Sequence, residues 1–155
     1  MVDIAASVLA RLKKKATESC RSYQLCLQLF CQEEFLRRLE KSKYAENFVL
    51  KGGLFIYSLT NFDSRITIDV DFLLHHMPNT PEQLKSVLEE IIAISTGNDF
   101  ITFDIVSQFN VGYINIVSIR YRSEGFTLFH NMVLHGRFLF YTSLLKTFFL
   151  RTSLL

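Results

Sequence analysis

The chain has 155 residues, an apolar fraction of 49%, 15 Phe, no Trp and a formal net charge of +2. Its size and apolar content fit one folded domain with a real core and exclude a disordered segment. The near-neutral charge gives no whole-chain footprint for nucleic acid. The amino terminus lacks the basic-then-apolar pattern of a secretory signal. No apolar run reaches the roughly 18 residues of a membrane span, so neither secretion nor a membrane is expected. Cys20, Cys26 and Cys31 are odd in number and lack Cys-x-x-Cys spacing, as in a reduced cytoplasmic protein with small buried thiols.

In chain order, Ile4, Val8, Leu9 and Leu12 recur at helical spacing over residues 4–15. The basic run Arg11, Lys13, Lys14 and Lys15 within it reads as a solvated helix face before it reads as a phosphate contact. A longer helix is predicted from Tyr23 to Glu40, with Leu25, Leu29, Leu36 and Leu39 inward. Glu33, Glu34, Arg37, Arg38 and Glu40 would lie on its surface, with oppositely charged partners at i,i+4. Phe48 to Leu50 is a short strand entering Gly52-Gly53, Leu54 to Leu59 one or two helical turns, and Asn61 to Ser64 a turn.

Ile66 to Leu74 then alternates as a strand, which puts Asp69 and Asp71 on one face about 6–7 Å apart and Ile68, Val70 and Phe72 on the other. Two such carboxylates can converge on a divalent cation, and oxygen donors suit magnesium or manganese better than zinc. A glycine bend upstream lets backbone approach phosphate, so the segment points to phosphoryl-type chemistry on a nucleotide.

Thr80-Pro81-Glu82-Gln83 reads as a helix start: Thr as N-cap, Pro first, Gln closing a capping box. Leu84, Val87, Leu88 and Ile91 form the buried stripe, and Gly97 the stop. Ile101 to Val106 and Tyr113 to Tyr121 alternate as strands. The expected fold is α+β: a mixed sheet with helices on one face, preceded by an N-terminal helical pair. The reading assigns residues 4–40 to that pair, 47–122 to the core, 1–122 to one domain and 123–155 to an atypical apolar tail. From Gly125 onward there is no Asp or Glu, and Phe and Leu are dense without a period of 2 or 3.6.

Gly52-Gly53 followed by Asp69-Val70-Asp71 resembles the nucleotidyltransferase superfamily, and more narrowly the AbiEii/AbiGii-type toxins of abortive-infection toxin–antitoxin pairs. The opening Asp3 to Val8, Tyr23-Gln24-Leu25, Phe35 to Leu39, Phe48 to Gly53 and Arg65 to Asp71 carry the likeness, which covers roughly residues 3 to 122. The resemblance implies that Asp69 and Asp71 hold Mg2+ (or Mn2+), and that Gly52 and Gly53 form the turn where a nucleoside triphosphate (NTP) passes backbone amides. Lys51 and Arg65 would neutralise phosphate; Arg65 has an equal claim to a salt bridge with the carboxylates. It further implies nucleotidyl transfer from an NTP to tRNA or a protein side chain, with a cognate antitoxin as partner.

Two departures stand beside the resemblance. Leu54 follows the glycines where the superfamily often has a hydroxyl residue. The third carboxylate of a later strand has no counterpart after Glu124, and Asp104 does not match its motif. A chain that lost its carboxy-terminal half and turns nothing over, surviving as a partner-binding remnant, is therefore the alternative; an unrelated α+β interaction module is a third. His75-His76 invites a metal reading, but strand neighbours face opposite ways, and a solvated pair is the expectation. Glu89 with Glu90, and Asp99 with Asp104, lack an accompanying nucleophile and read as surface charge.

Overall fold

A computed structural model describes residues 4–60, 70–77, 80–98, 101–107, 117–123 and 126–135. Among them lie four helices, α1 (Ile4–Glu18), α2 (Tyr23–Lys41), α3 (Gly52–Leu59) and α4 (Pro81–Ile92). The strands are β1 (Phe48–Lys51), β2 (Val70–Leu74), β3 (Thr102–Ser107), β4 (Val117–Ser123) and β5 (Phe126–His135). They form one five-stranded sheet in the order β1-β2-β5-β4-β3. Only β2 and β5 run parallel; the other pairs are antiparallel. The fold is the expected α+β arrangement with a mixed sheet and an N-terminal helical pair.

Burial alternates along β1 and β2. Phe48, Leu50, Val70, Phe72 and Leu74 are buried, while Val49, Lys51, Asp71 and Leu73 are half-buried. All four helices contribute to a single apolar cluster with the buried set. Phe35 of α2 anchors it, with its ring 6.1 Å from that of Phe72 and 6.3 Å from that of Phe103; Phe48 meets Phe72 edge-on at 5.6 Å. Such tilted aromatic pairs add stabilisation beyond their buried area.

Helix α2 is buried more deeply than its periodicity predicts. Leu36 and Leu39 are inside as expected, but Leu25 and Leu29 are only half-buried, and Cys26, Leu27, Phe30 and Cys31 share the interior. Glu33, Glu34 and Arg38 are buried rather than on the surface, while their i,i+4 pairs with Arg37 and within Glu34–Arg38 form as expected. The reason lies far away in sequence. Arg38 donates to Glu34 Oε1 at 3.0 Å and to the carbonyls of Ile92 and Ile101, the second at 2.9 Å. Glu34 also accepts from Thr96 Oγ1 and, at 2.7 Å, from Asn98 Nδ2. The connection from α4 to β3 thus obtains hydrogen-bond partners from α2, which spacing on α2 alone cannot reveal.

Several ends differ from expectation. Thr80 is the N-cap of α4 and Pro81 opens the helix, but the Thr80 hydroxyl donates to Gln83 Oε1 at 2.7 Å instead of capping a backbone amide. The helix stops at Ala93, and Gly97 (φ +90°) turns the chain four residues later. On α1, Val8, Leu12 and Ala16 are buried while Ile4 is 59% exposed. Cys20 is exposed, unlike Cys26 and Cys31. The segment set apart as an aperiodic tail contributes β5, which pairs on both edges and joins the two halves of the sheet. The expected turn at Asn61 to Ser64, the strand's beginning at Ile66 and the residues after His135 lie outside the described residues.

Candidate functional site

The antiparallel β1–β2 ladder sets Lys51 directly opposite Asp71. Cross-strand partners share a sheet face, and here it is the half-buried face, opposite the one carrying Phe72 and Leu50. Immediately after Lys51 the chain turns at Gly52, whose φ of +71° lies in the left-handed region that L side chains rarely adopt. Helix α3 starts at that bend. Lys51 is its N-cap residue and makes no side-chain capping bond, as expected of a donor-only group.

Asp71 lies against the bend. A Cβ placed on Gly52 would fall 2.1 Å from Asp71 Oδ2 and 3.0 Å from its Cγ. The carboxylate therefore fills the space that a side chain at position 52 would need, and Gly52 is required there twice, for conformation and for room. Strand, bend and helix bring Asp71, Lys51 and the beginning of α3 together, where the amide ends of the helix favour negative charge. Gly53 follows in the first turn of α3. Leu54, in the place of a hydroxyl residue, is buried in the core.

Asp69 and Arg65 lie outside the described residues, so the structure places Asp71, Lys51, Gly52 and Gly53 of the six expected site residues. Among the described residues no group of three or more His, Cys, Asp or Glu side chains is arranged to hold a metal. Glu89 and Glu90 are engaged as surface ions with Lys85 and Lys43, and the Tyr44 hydroxyl donates to Glu90. The Lys43 ammonium, hydrogen-bonded to Glu90, holds that carboxyl below its ordinary range.

His75 and His76 do not diverge. Strand β2 ends at Leu74, His76 adopts φ +52°, and the two rings stack with centroids 3.6 Å apart. Alternation holds only while the backbone remains extended, and sequence gave no sign that it ceases one residue earlier.

A carboxylate strand pressed on a glycine bend in a mixed-sheet α+β domain is the arrangement expected from the resemblance to nucleotidyltransferases. The sequence pattern of the nucleotidyl transferase AbiEii toxin, Type IV TA system, matches residues 34–134, and the chain belongs to this family. The matched span runs from α2 through nearly all of β5 and contains the whole of the site described above. No curated protein and no solved structure matches the chain. Membership of a toxin–antitoxin family implies an antitoxin partner. No helix among the described residues is long and apolar enough to cross a membrane.

Proposed function

We propose that this toxin is a nucleotidyltransferase that uses Asp71, together with Asp69, to hold Mg2+ against the phosphates of an NTP, and that it passes the nucleotidyl group to an RNA, tRNA foremost, or to a protein side chain. The observation that supports this most strongly is the contact between the Asp71 carboxylate and the Gly52 bend, on a sheet face that is not closed by the core. Carboxylate oxygens are hard donors fitted to magnesium. An ion there would supply charge neutralisation on the transferred phosphate. Lys51, opposite Asp71, adds a positive charge to the same face; Gly52 keeps side-chain bulk out, and Gly53 keeps the first turn of α3 open to close approach. Arg65 would serve either phosphate or the carboxylates. Cytoplasmic action fits a chain whose three cysteines are all free thiols.

The sequence of β5 favours a second reading. This strand is the parallel neighbour of β2, and it carries no Asp or Glu. A chain with two carboxylates and no third would hold a nucleotide without turning it over, acting as a binding module for its partner.

Label transfer from an α-phosphate-labelled NTP to an RNA pool, run with thermal melting, separates the two. The enzyme reading expects Mg2+-dependent stabilisation by NTP and labelled RNA, both lost in Asp71→Ala. The second reading expects the stabilisation without the label. Absence of both responses refutes the site.

A further inference from the structure

Positive charge is concentrated in one stretch of the chain. Residues 4–21 hold five of the 17 Lys and Arg and one of the 15 Asp and Glu, although the chain as a whole is near neutral. This stretch comprises α1 and the corner leading into α2, and it precedes the span matched by the family pattern, which begins at residue 34. Helix α1 spends its apolar side on the core, with Val8, Leu12 and Ala16 buried four positions apart. Its outer surface carries Arg11, Lys13 and Lys14, all exposed, and the exposed positions around them, Ser7, Ala10 and Thr17, are small.

A merely solvated charged face is usually laced with ion pairs, as the other helices are. Glutamates four positions from Arg37, Arg38 and Lys85 pair with each of them. On α1, the side chains of Arg11 and Lys13 make no hydrogen bond or ion pair among the described residues. Lys14 meets Glu18 at only 3.7 Å, with side chains 78% and 63% exposed, a pair that water and salt readily dissolve. Unneutralised cations on a surface of low relief suit a polyanion with closely spaced charges. A bilayer fits poorly, because a helix lying on a membrane inserts an apolar face, and that of α1 is closed against the core. The corner at the end of α1 favours RNA. There the Arg21 guanidinium stands 5.8 Å from the centre of the Tyr57 ring. Tyr57 is five positions along α3 from the Gly52 bend, ~8 Å of helix. The cationic stretch therefore ends beside the helix that opens at the candidate site.

We propose that Arg11, Lys13 and Lys14 of α1 hold the phosphate backbone of an acceptor RNA. The proposal rests on the nucleotidyltransferase reading for the RNA character of the partner, and it favours RNA over a protein side chain as the acceptor. Phosphate contacts fix position and carry no sequence information, so this face would seat the RNA without choosing its bases. Lys15 is left out of the set, because it is half-buried and its charge acts on Glu33.

The test is fluorescence anisotropy of a labelled short RNA hairpin titrated with the full chain, in EDTA and without NTP. Three phosphate contacts should make the affinity fall about 40-fold between about 50 and 200 mM salt. Arg11→Gln combined with Lys13→Gln removes two of them and keeps good helix formers at exposed positions. That variant should bind more weakly at the lower salt and lose only about fourfold over the same range. Glu18→Gln, which deletes the carboxylate competing for Lys14, should tighten binding, and Lys85→Gln on α4 should alter neither affinity nor salt dependence. No saturable binding, wild-type affinity and salt dependence in the double variant, or an equal loss in Lys85→Gln would overturn the proposal. Phosphatidylserine vesicles or polyglutamate bound as tightly as the hairpin would give the face to a membrane or an acidic protein and overturn it too. Because EDTA removes the metal ion, RNA binding through α1 that persists when NTP gives no Mg2+-dependent stabilisation refutes the proposed function alone. Such stabilisation together with unchanged RNA affinity in the double variant refutes the α1 surface alone.

Discussion

Asp71 Oδ2 occupies the position where a side chain on Gly52 would begin, 2.1 Å from the place of its Cβ. Gly52→Ala therefore meets two penalties, a left-handed φ and an overlap with a carboxylate, and should cost on the order of 2–4 kcal/mol of stability. Gly97 is the control: its φ is +90°, but a Cβ there has open space. Gly97→Ala should cost about 1 kcal/mol and leave any NTP response intact. Urea midpoints of the two variants check the difference; equal losses would mean that the carboxylate gives way freely.

The buried pair Glu34–Arg38 fastens α2 to the α4–β3 connection. Arg38→Met leaves Glu34 enclosed without its cation and frees two carbonyls, for an expected loss of roughly 3–5 kcal/mol. Adding Glu34→Gln to that variant should recover part of the loss, because the uncompensated charge is then gone. A double-mutant cycle by chemical unfolding measures the coupling, and strictly additive losses would contradict it.

Glu33 offers a pH dependence with a defined sign. Burial raises its carboxyl above the ordinary 4.5, and the Arg37 guanidinium, pulling the other way, only partly offsets this. A carboxyl that holds its proton more tightly in the folded chain favours folding while protonated. That contribution is complete below 4.5 and is lost as pH rises through the folded value. Glu33→Gln should flatten the fall in stability over that interval, measured as denaturation midpoints at a series of pH values. A variant that keeps the wild-type slope would place the titration elsewhere.

Thiol accessibility gives a fourth check. Cys20 is exposed, whereas Cys31 is buried and its thiol is pushed far up by burial and by the nearby Glu34. An aromatic disulfide reagent should label Cys20 alone in the folded chain, and Cys26 and Cys31 only with unfolding, since the thiolate is the reactive form. Rapid labelling of Cys31 in native buffer would contradict its placement.

What could be read from the chain alone follows the range of each interaction. The alternation through Val70, Asp71 and Phe72, the bend at Gly52 and the stripe Leu84, Val87, Leu88 and Ile91 depend on near neighbours, and the structure has them as expected. The interior position of Glu34 and Arg38 does not, because their partners Ile92, Thr96, Asn98 and Ile101 are more than fifty positions away. The stacking of His76 on His75 turns on a single left-handed φ at a residue that carries no sequence mark for it. β5 is hidden in the sequence for a third reason. Strands inside a sheet can lose polar alternation altogether, and dense Phe and Leu then resemble a featureless apolar run.

The position of β5 also sets the timetable of synthesis. The β1–β2 ladder and the β3–β4 ladder are made first, yet nothing in the described sheet joins them until Phe126–His135 slides between β2 and β4. A ribosome that has not passed this stretch carries two ladders, each with an unsatisfied edge and tied to the other through α2, whose Phe35 meets both Phe72 and Phe103. Among the described strands, the sheet that flanks Asp71 is therefore complete only once β5 has emerged.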